Sequence, residues 1–283
     1  MKPTTAILLV NLGTPDSPNK SDVRSYLTQF LNDPRVIDIP WLARKLLVNG
    51  IIVPFRSGNS SKLYKAIWDD KNGSPLLMHS KHLAEKLQTA VGSNYKVELA
   101  MRYKNPSIKD VLERMKKEGY HKIIVFPLFP HYASSSTGSA LQEVMEHISK
   151  WWVIPELKII SQYYNDTNYI NCIVNRAKKY NLNDYEHIVF SYHGLPERQV
   201  DKVYNDGYLC KDHNCETESS YENYYCYKAA CFQTTELIVK QLNLPKEKYT
   251  VSFQSRLDKK WHTPFSDVVI EELKKKGTKN VLV

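Results

Sequence analysis

Two rhythms of apolar and polar positions alternate along the chain. Residues 6–10 form a continuous apolar run, the pattern of a strand buried on both faces. Residues 21–31 place Val23, Tyr26, Leu27 and Phe30 on one helical face. Gly73-Ser74-Pro75 opens a helix reaching about Ala90, because proline is accommodated in a first turn. Strand patterns follow at 95–101 and 122–128, with a helix at 108–118 between them. The alternation continues through 141–151, 157–162, 169–180, 187–192, 229–242, 249–253 and 265–276. Strands separated by helices of this length predict βαβ units, an α/β fold and mostly parallel sheets.

The pattern also repeats. Ile7-Leu8-Leu9-Val10-Asn11-Leu12-Gly13-Thr14-Pro15 matches Ile188-Val189-Phe190-Ser191-Tyr192-His193-Gly194-Leu195-Pro196, an apolar strand ending in Gly-x-Pro. Residues 95–102 match 249–256, and 111–125 match 269–283, each in the same order. The repeat predicts two similar Rossmann-like halves, 1–152 and 153–283, facing each other across a ligand cleft. In the first half the strand ending near Leu128 feeds a Ser-rich loop, 129–139, and then a helix. Its second-half counterpart begins at Val281 and the sequence stops at Val283, so the repeat predicts a truncated second half.

Composition narrows the class. With 42% hydrophobic and 24% charged residues the chain can bury an ordinary core. The excess of 39 Lys and Arg over 30 Asp and Glu, a net +9, suits an anionic ligand or an anionic membrane surface. No apolar run is long enough to span a membrane, and the first apolar run is too short for a secretory signal. Five cysteines in a chain this long do not make a secreted disulfide scaffold, so the expectation is a cytoplasmic protein. Residues 41–55 are apolar around Arg44 and Lys45; they read either as a core helix plus loop or as a lip that grips substrate or touches a membrane peripherally.

Three features can carry chemistry. His193 follows an apolar strand, at the carboxyl end where α/β sites sit, and can serve as a general base or metal ligand. The Ser-rich loop offers hydroxyls and backbone N–H groups ahead of a helix, a cradle for carboxylate or phosphate. Neither a nucleotide P-loop, nor a dinucleotide turn, nor a Gly-x-Ser-x-Gly elbow is present. Cys210, Cys215, Cys226 and Cys231 form a C-x4-C-x10-C-x4-C set, pointing to four-coordinate zinc or an iron–sulfur cluster, with disulfides or free thiols as alternatives. Nearby tyrosines allow a nucleic-acid module, but no basic cluster accompanies them and no nucleic-acid partner is expected. Cys172 falls on a helical pattern and is expected in the core.

Six ordered motifs then carry a resemblance: Val10-Asn11-Leu12-Gly13-Thr14-Pro15, Gly73-Ser74-Pro75-Leu76, Met101-Arg102-Tyr103, Pro127-Leu128-Phe129-Pro130-His131-Tyr132 with Ser136-Thr137-Gly138-Ser139, Ser191-Tyr192-His193-Gly194-Leu195-Pro196 and Phe253-Gln254-Ser255-Arg256. Together they resemble the ferrochelatases, and among these the bacterial protoporphyrin enzymes more than the coproporphyrin enzymes. The resemblance implies insertion of ferrous iron, as substrate, into protoporphyrin IX in haem synthesis, on two chelatase-type halves. It places the metal-site histidine at His193 and the substrate contacts at Leu12, Arg102, Tyr103, Tyr132, Ser136 and Thr137. The partner glutamate of the family lies beyond the strand at Val281; Glu271 and Glu272 precede that strand on a helix and do not replace it. The Cys-rich insert, about 205–231, looks like the 2Fe–2S site of some bacterial relatives, with zinc as the alternative. Chelatases for cobalt or coproporphyrin, and a non-catalytic porphyrin or haem binder, are the competing functions.

Overall fold

A computed structural model describes residues 3–283. It divides into two compact units, one running to Phe129 and resuming over Ser134–Gln162, the other formed by Pro130–Ala133 and Tyr163–Val283.

The first unit is built on β1 (Thr5–Gly13). Alternate residues of a strand face opposite ways. Ala6, Leu8 and Val10 therefore enter one apolar cluster, whereas Ile7 and Leu9 enter another. This double burial explains the uninterrupted apolar run. Helix α1 (Lys20–Leu31) is followed by α2 (Trp41–Leu46), a wide π turn at Leu47–Ile52, α3 (Val53–Ile67) and α4 (Pro75–Val91). Strand β2 (Tyr95–Tyr103), helix α5 (Ile108–Glu118) and strand β3 (Lys122–Pro127) come next. Ser107 caps α5 by accepting from the Asp110 N–H, and Gly119 ends it in the left-handed conformation that glycine tolerates. Ile108, Val111, Leu112 and Met115 all pack into the cluster under β1. Helix α6 (Ser139–Ile148) and strand β4 (Glu156–Ile159) complete the unit. All strand pairs are parallel, in the order β2-β1-β3-β4. Because β4 pairs with β3, the first sheet extends past residue 152, the boundary drawn from the repeat.

The second unit repeats the plan. Helix α7 (Thr167–Ala177) precedes β5 (His187–His193), a short α8 (Glu197–Asp201), α9 (Tyr227–Leu242), β6 (Tyr249–Gln254), α10 (Ser266–Lys275) and β7 (Val281–Leu282). The sheet is parallel, in the order β6-β5-β7. That is the β2-β1-β3 order of the first unit with its matching strands, as the internal repeat requires. Cys172 corrects the core expectation: it sits on α7 as predicted but on the exposed side.

Residues 41–55 divide between the two readings made from sequence. Val48 and Val53 pack with Leu31, whereas Trp41, Leu42, Leu46, Ile51 and Phe55 are exposed. Arg44 is the buried exception, donating to the backbone carbonyl of Ile39 at 2.7 Å. No helix among the described residues is long and apolar enough to cross a membrane.

Candidate functional site

His193 is the last residue of β5 and stands opposite Gln254 of β6. The chain then turns at Gly194, whose N–H donates to the Gln254 carbonyl at 2.8 Å. A Cβ at this position would lie 2.7 Å from that oxygen, closer than a side chain can approach. Glycine is therefore dictated by the approach of one backbone to another. The exit is fastened by Glu197 N–H to the Lys260 carbonyl at 3.0 Å and by His262 N–H to the Leu195 carbonyl at 3.1 Å. The imidazole of His193 is exposed on this fixed base, while neighbouring protein shields it enough to lower its pKa from the usual histidine value. A neutral ring with a nitrogen lone pair results. Gly13 occupies the matching place in the first unit, at φ 110° against the Tyr103 backbone. By that correspondence Leu12 stands where the second unit carries its histidine.

Beneath β5 lies an aromatic layer. His131 stacks on Tyr164, meets Tyr192 and Tyr227 edge-on, and shares a 2.9 Å hydrogen bond with Thr234. Burial lowers its pKa to about 4. His262 stacks on Tyr227 with both ring nitrogens buried and unpaired, and burial again lowers its pKa to about 4.

Arg102 and Tyr103, at the end of β2, belong to a buried polar network in the first unit. Arg102 donates to Asp33 at 2.8 Å, lies 3.2 Å from Glu143 and donates to the Ser139 hydroxyl at 2.7 Å. Tyr103 is fully buried and donates to the same Asp33 carboxylate at 2.9 Å. Both side chains are thus committed to internal partners: Arg102 clamps the start of α6 to the segment carrying Asp33.

The Ser-rich segment is not an open loop. Ser134–Gly138 forms a wide π turn that runs directly into α6. Ser136 is half-buried, whereas Thr137 is fully buried with its hydroxyl unpaired. Arg35 reaches this turn, donating to the Ser134 hydroxyl at 2.9 Å and to Gln142 of α6. Tyr132 belongs to the second unit, where it meets Tyr225 edge-on with ring centroids 5.2 Å apart.

Three of the four clustered thiols come together. The Sγ atoms of Cys210, Cys215 and Cys226 lie 3.6–3.9 Å from one another, all buried. Cys231, the fourth cysteine of the spacing, is placed apart from this trio. It lies five residues beyond Cys226 on α9 and packs instead with Val251 and Phe253. Around the trio, Tyr204 hydroxyl sits 2.8 Å from Cys215 sulfur, and the Ala229 N–H donates to Cys226 sulfur at 3.5 Å from the first turn of α9. The donor set suits a thiophilic ion, with Cys226 as thiolate favoured at a helix N-terminus.

Residues 4–283 match the family model described as Ferrochelatase. A ferrochelatase of Legionella pneumophila (strain Corby) is 44% identical over 278 residues, covering 98% of this chain and 82% of the relative. One from Coxiella burnetii (strain RSA 493 / Nine Mile phase I) is 43% identical over 281 residues, covering 98% and 77%. The chain belongs to the ferrochelatase family. Its fold is similar to that of SirB from Bacillus subtilis, solved with Fe3+, at a TM-score of 0.51 and 13% identity, over 97% of this chain and 72% of that one. As a ferrochelatase it is a metal chelatase, a lyase of haem biosynthesis that takes ferrous iron as substrate.

Among the ferrochelatase residues not singled out from sequence, Asp33 and Arg35 matter most. Both lie in Asn32-Asp33-Pro34-Arg35, a short polar break between apolar stretches, and only tertiary contact shows that they reach residues 134–142. Glu143 and His262 were equally hidden, defined by Arg102 and Tyr227 respectively, neighbours remote in sequence.

Proposed function

We propose that this ferrochelatase metallates protoporphyrin IX and that His193 is the base that removes a pyrrole proton. Insertion of ferrous iron expels two N–H protons from the macrocycle and strips water from the ion. It therefore needs a neutral acceptor next to the ring nitrogens. The observation that carries the reading is the exposed, neutral imidazole of His193, held at a strand end by the close backbone contact of Gly194. Among the substrate contacts, Leu12, Tyr132 and Ser136 are retained on family resemblance. Arg102 and Tyr103 act as positioning groups, given their internal partners, and so does the fully buried Thr137. Arg35 joins the first group as a cation beside Ser134, suited to a propionate. The thiols of Cys210, Cys215 and Cys226 form a separate resident metal centre with no step in metallation.

The test is an anaerobic absorbance titration with protoporphyrin and then ferrous iron, comparing the chain with its His193→Ala variant. Porphyrin binding should persist in the variant while the metallation rate falls by about 10²–10⁴, the usual contribution of a positioned base. The lowered pKa keeps His193 neutral further into acid, so the rate should decline only below about pH 6.5. A variant that metallates at the parent rate would sink this assignment.

A further inference from the structure

The insert between α8 and α9 has almost no apolar core of its own. Residues 216–222 are exposed, and what is buried beside Val200, Tyr204 and Ala229 is the three thiols. Short loops without a core are commonly held by a metal, whose binding is then part of their folding. The separations among the thiols restrict which metal group fits. A tetrahedral ion with metal–sulfur bonds of about 2.3 Å sets neighbouring sulfurs about 3.8 Å apart. The three pairs here measure 3.9, 3.6 and 3.6 Å, three edges of one such tetrahedron. A 2Fe–2S cluster needs four protein ligands, two on each iron, so a thiolate on one iron stands well away from both on the other. Three mutually adjacent sulfurs do not fit that arrangement. Cys231 does not supply a fourth ligand; it is fully buried against β6. No other His, Cys, Asp or Glu among the described residues brings a ligand atom into the same group.

We propose, resting on the reading of this insert as a metal centre, that Cys210, Cys215 and Cys226 hold one tetrahedral thiophilic divalent ion completed by a non-protein ligand, and that Cys231 is not a ligand. Binding forms three metal–thiolate bonds and releases to solvent whatever protons the thiols still carry, those of Cys210 and Cys215 where Cys226 is already a thiolate, with no change of oxidation state. Two contacts orient the ligands. Tyr204 hydroxyl steadies Cys215, and the start of α9 presents the Ala229 N–H to Cys226.

The experiment uses the whole chain, purified anaerobically with reductant, stripped of metal and titrated with zinc against a chromophoric chelator. One zinc per chain is expected, and cobalt in its place should give the intense visible bands of a tetrahedral thiolate site. Cys210→Ser, Cys215→Ser and Cys226→Ser should each weaken zinc binding by more than the ~10–100-fold that loss of an outer partner costs. Tyr204→Phe, which keeps all three ligands, should weaken it about tenfold. Cys231→Ser should bind within about threefold of the parent, on the same outer-partner scale. The cobalt spectrum of the parent answers the geometric question even where a serine variant fails to fold. Two irons with two sulfides per chain, lost on Cys231→Ser, would overturn the single-ion site while preserving the metal-centre reading. Failure of the parent to bind zinc, cobalt or iron would overturn both.

Discussion

Asp33 shows how one carboxylate can hold a site that it need never touch. It is 5% exposed and accepts from Arg102 and Tyr103 of β2 and from Ser139 of α6, so two elements converge on it. Removing one member of a buried pair leaves the other charged and unmatched, which costs about 3–5 kcal/mol, whereas replacing both with apolar groups is far less harmful. Asp33→Ala should therefore lower unfolding free energy by about that amount. The double variant Asp33→Leu with Arg102→Met should be more stable than the sum of the two single changes by about 1–3 kcal/mol. Strict additivity in denaturant melts would show that the pair is not coupled. His131 makes a second prediction, through pH. Its folded pKa of about 4 lies below the ordinary 6.5, so the unfolded chain takes up the proton first as pH falls. Stability is complete above pH 6.5 and drains away toward pH 4, by about 3 kcal/mol for this one group, 2.5 pH units at 1.36 kcal/mol each. His262 pulls in the same direction and stays in place in both proteins. His131→Gln, which can still bond to Thr234, should flatten the acid limb of stability against pH; parallel curves for the two proteins would acquit His131.

At the scale of elements, sequence pattern was informative wherever burial was periodic or complete. The predicted helix at 108–118 is Ile108–Glu118 in the structure, because its apolar face, its Ser107 cap and its Gly119 stop all agree. The glycines that end β1 and follow β5 were visible as punctuation, but their cause, a backbone neighbour at Tyr103 or Gln254, is a tertiary fact. Three elements were misread for related reasons. Helix α3 continues to Ile67, through polar residues that carry no helical stripe. The Ser-rich segment reads as loop because serine and glycine are poor helix formers, yet Arg35 and α6 hold it in a π turn. Strand β4 carries too few apolar residues to reveal whose edge it joins, and pairing with β3 settles that. The placing of His193 at a strand end was legible from its motif. The Asp33 network was not, since no local pattern links residues 33, 102, 103 and 139. Cysteine spacing likewise grouped four thiols that the helical path of α9 separates into three and one.

Across the molecule, the repeat yields two sheets of shared strand order but unequal cover. In the first, β1 is paired on both sides along most of its length and sandwiched between α4 on one face and α5 with α6 on the other. In the second, β5 pairs with β6 over six positions and with β7 over only two. Backbone hydrogen bonds that open only with the whole sheet exchange slowest, and those near short or partly covered pairings exchange through smaller openings. Hydrogen exchange should therefore find the slowest amides at residues 6–10 of β1. Amides of β5 and β7 should exchange faster, and those of 216–222 fastest of all, because that stretch is exposed and outside any helix or strand. Adding zinc should slow exchange in the segment from Cys210 to Cys226 and leave β1 unchanged, since among the described residues its three thiols form the group that ion would cross-link. If β5 protected as strongly as β1, the unequal pairing of the two sheets would not be what limits opening, and the stability of the second unit would have to come from its aromatic layer of His131, Tyr164, Tyr192 and Tyr227 instead.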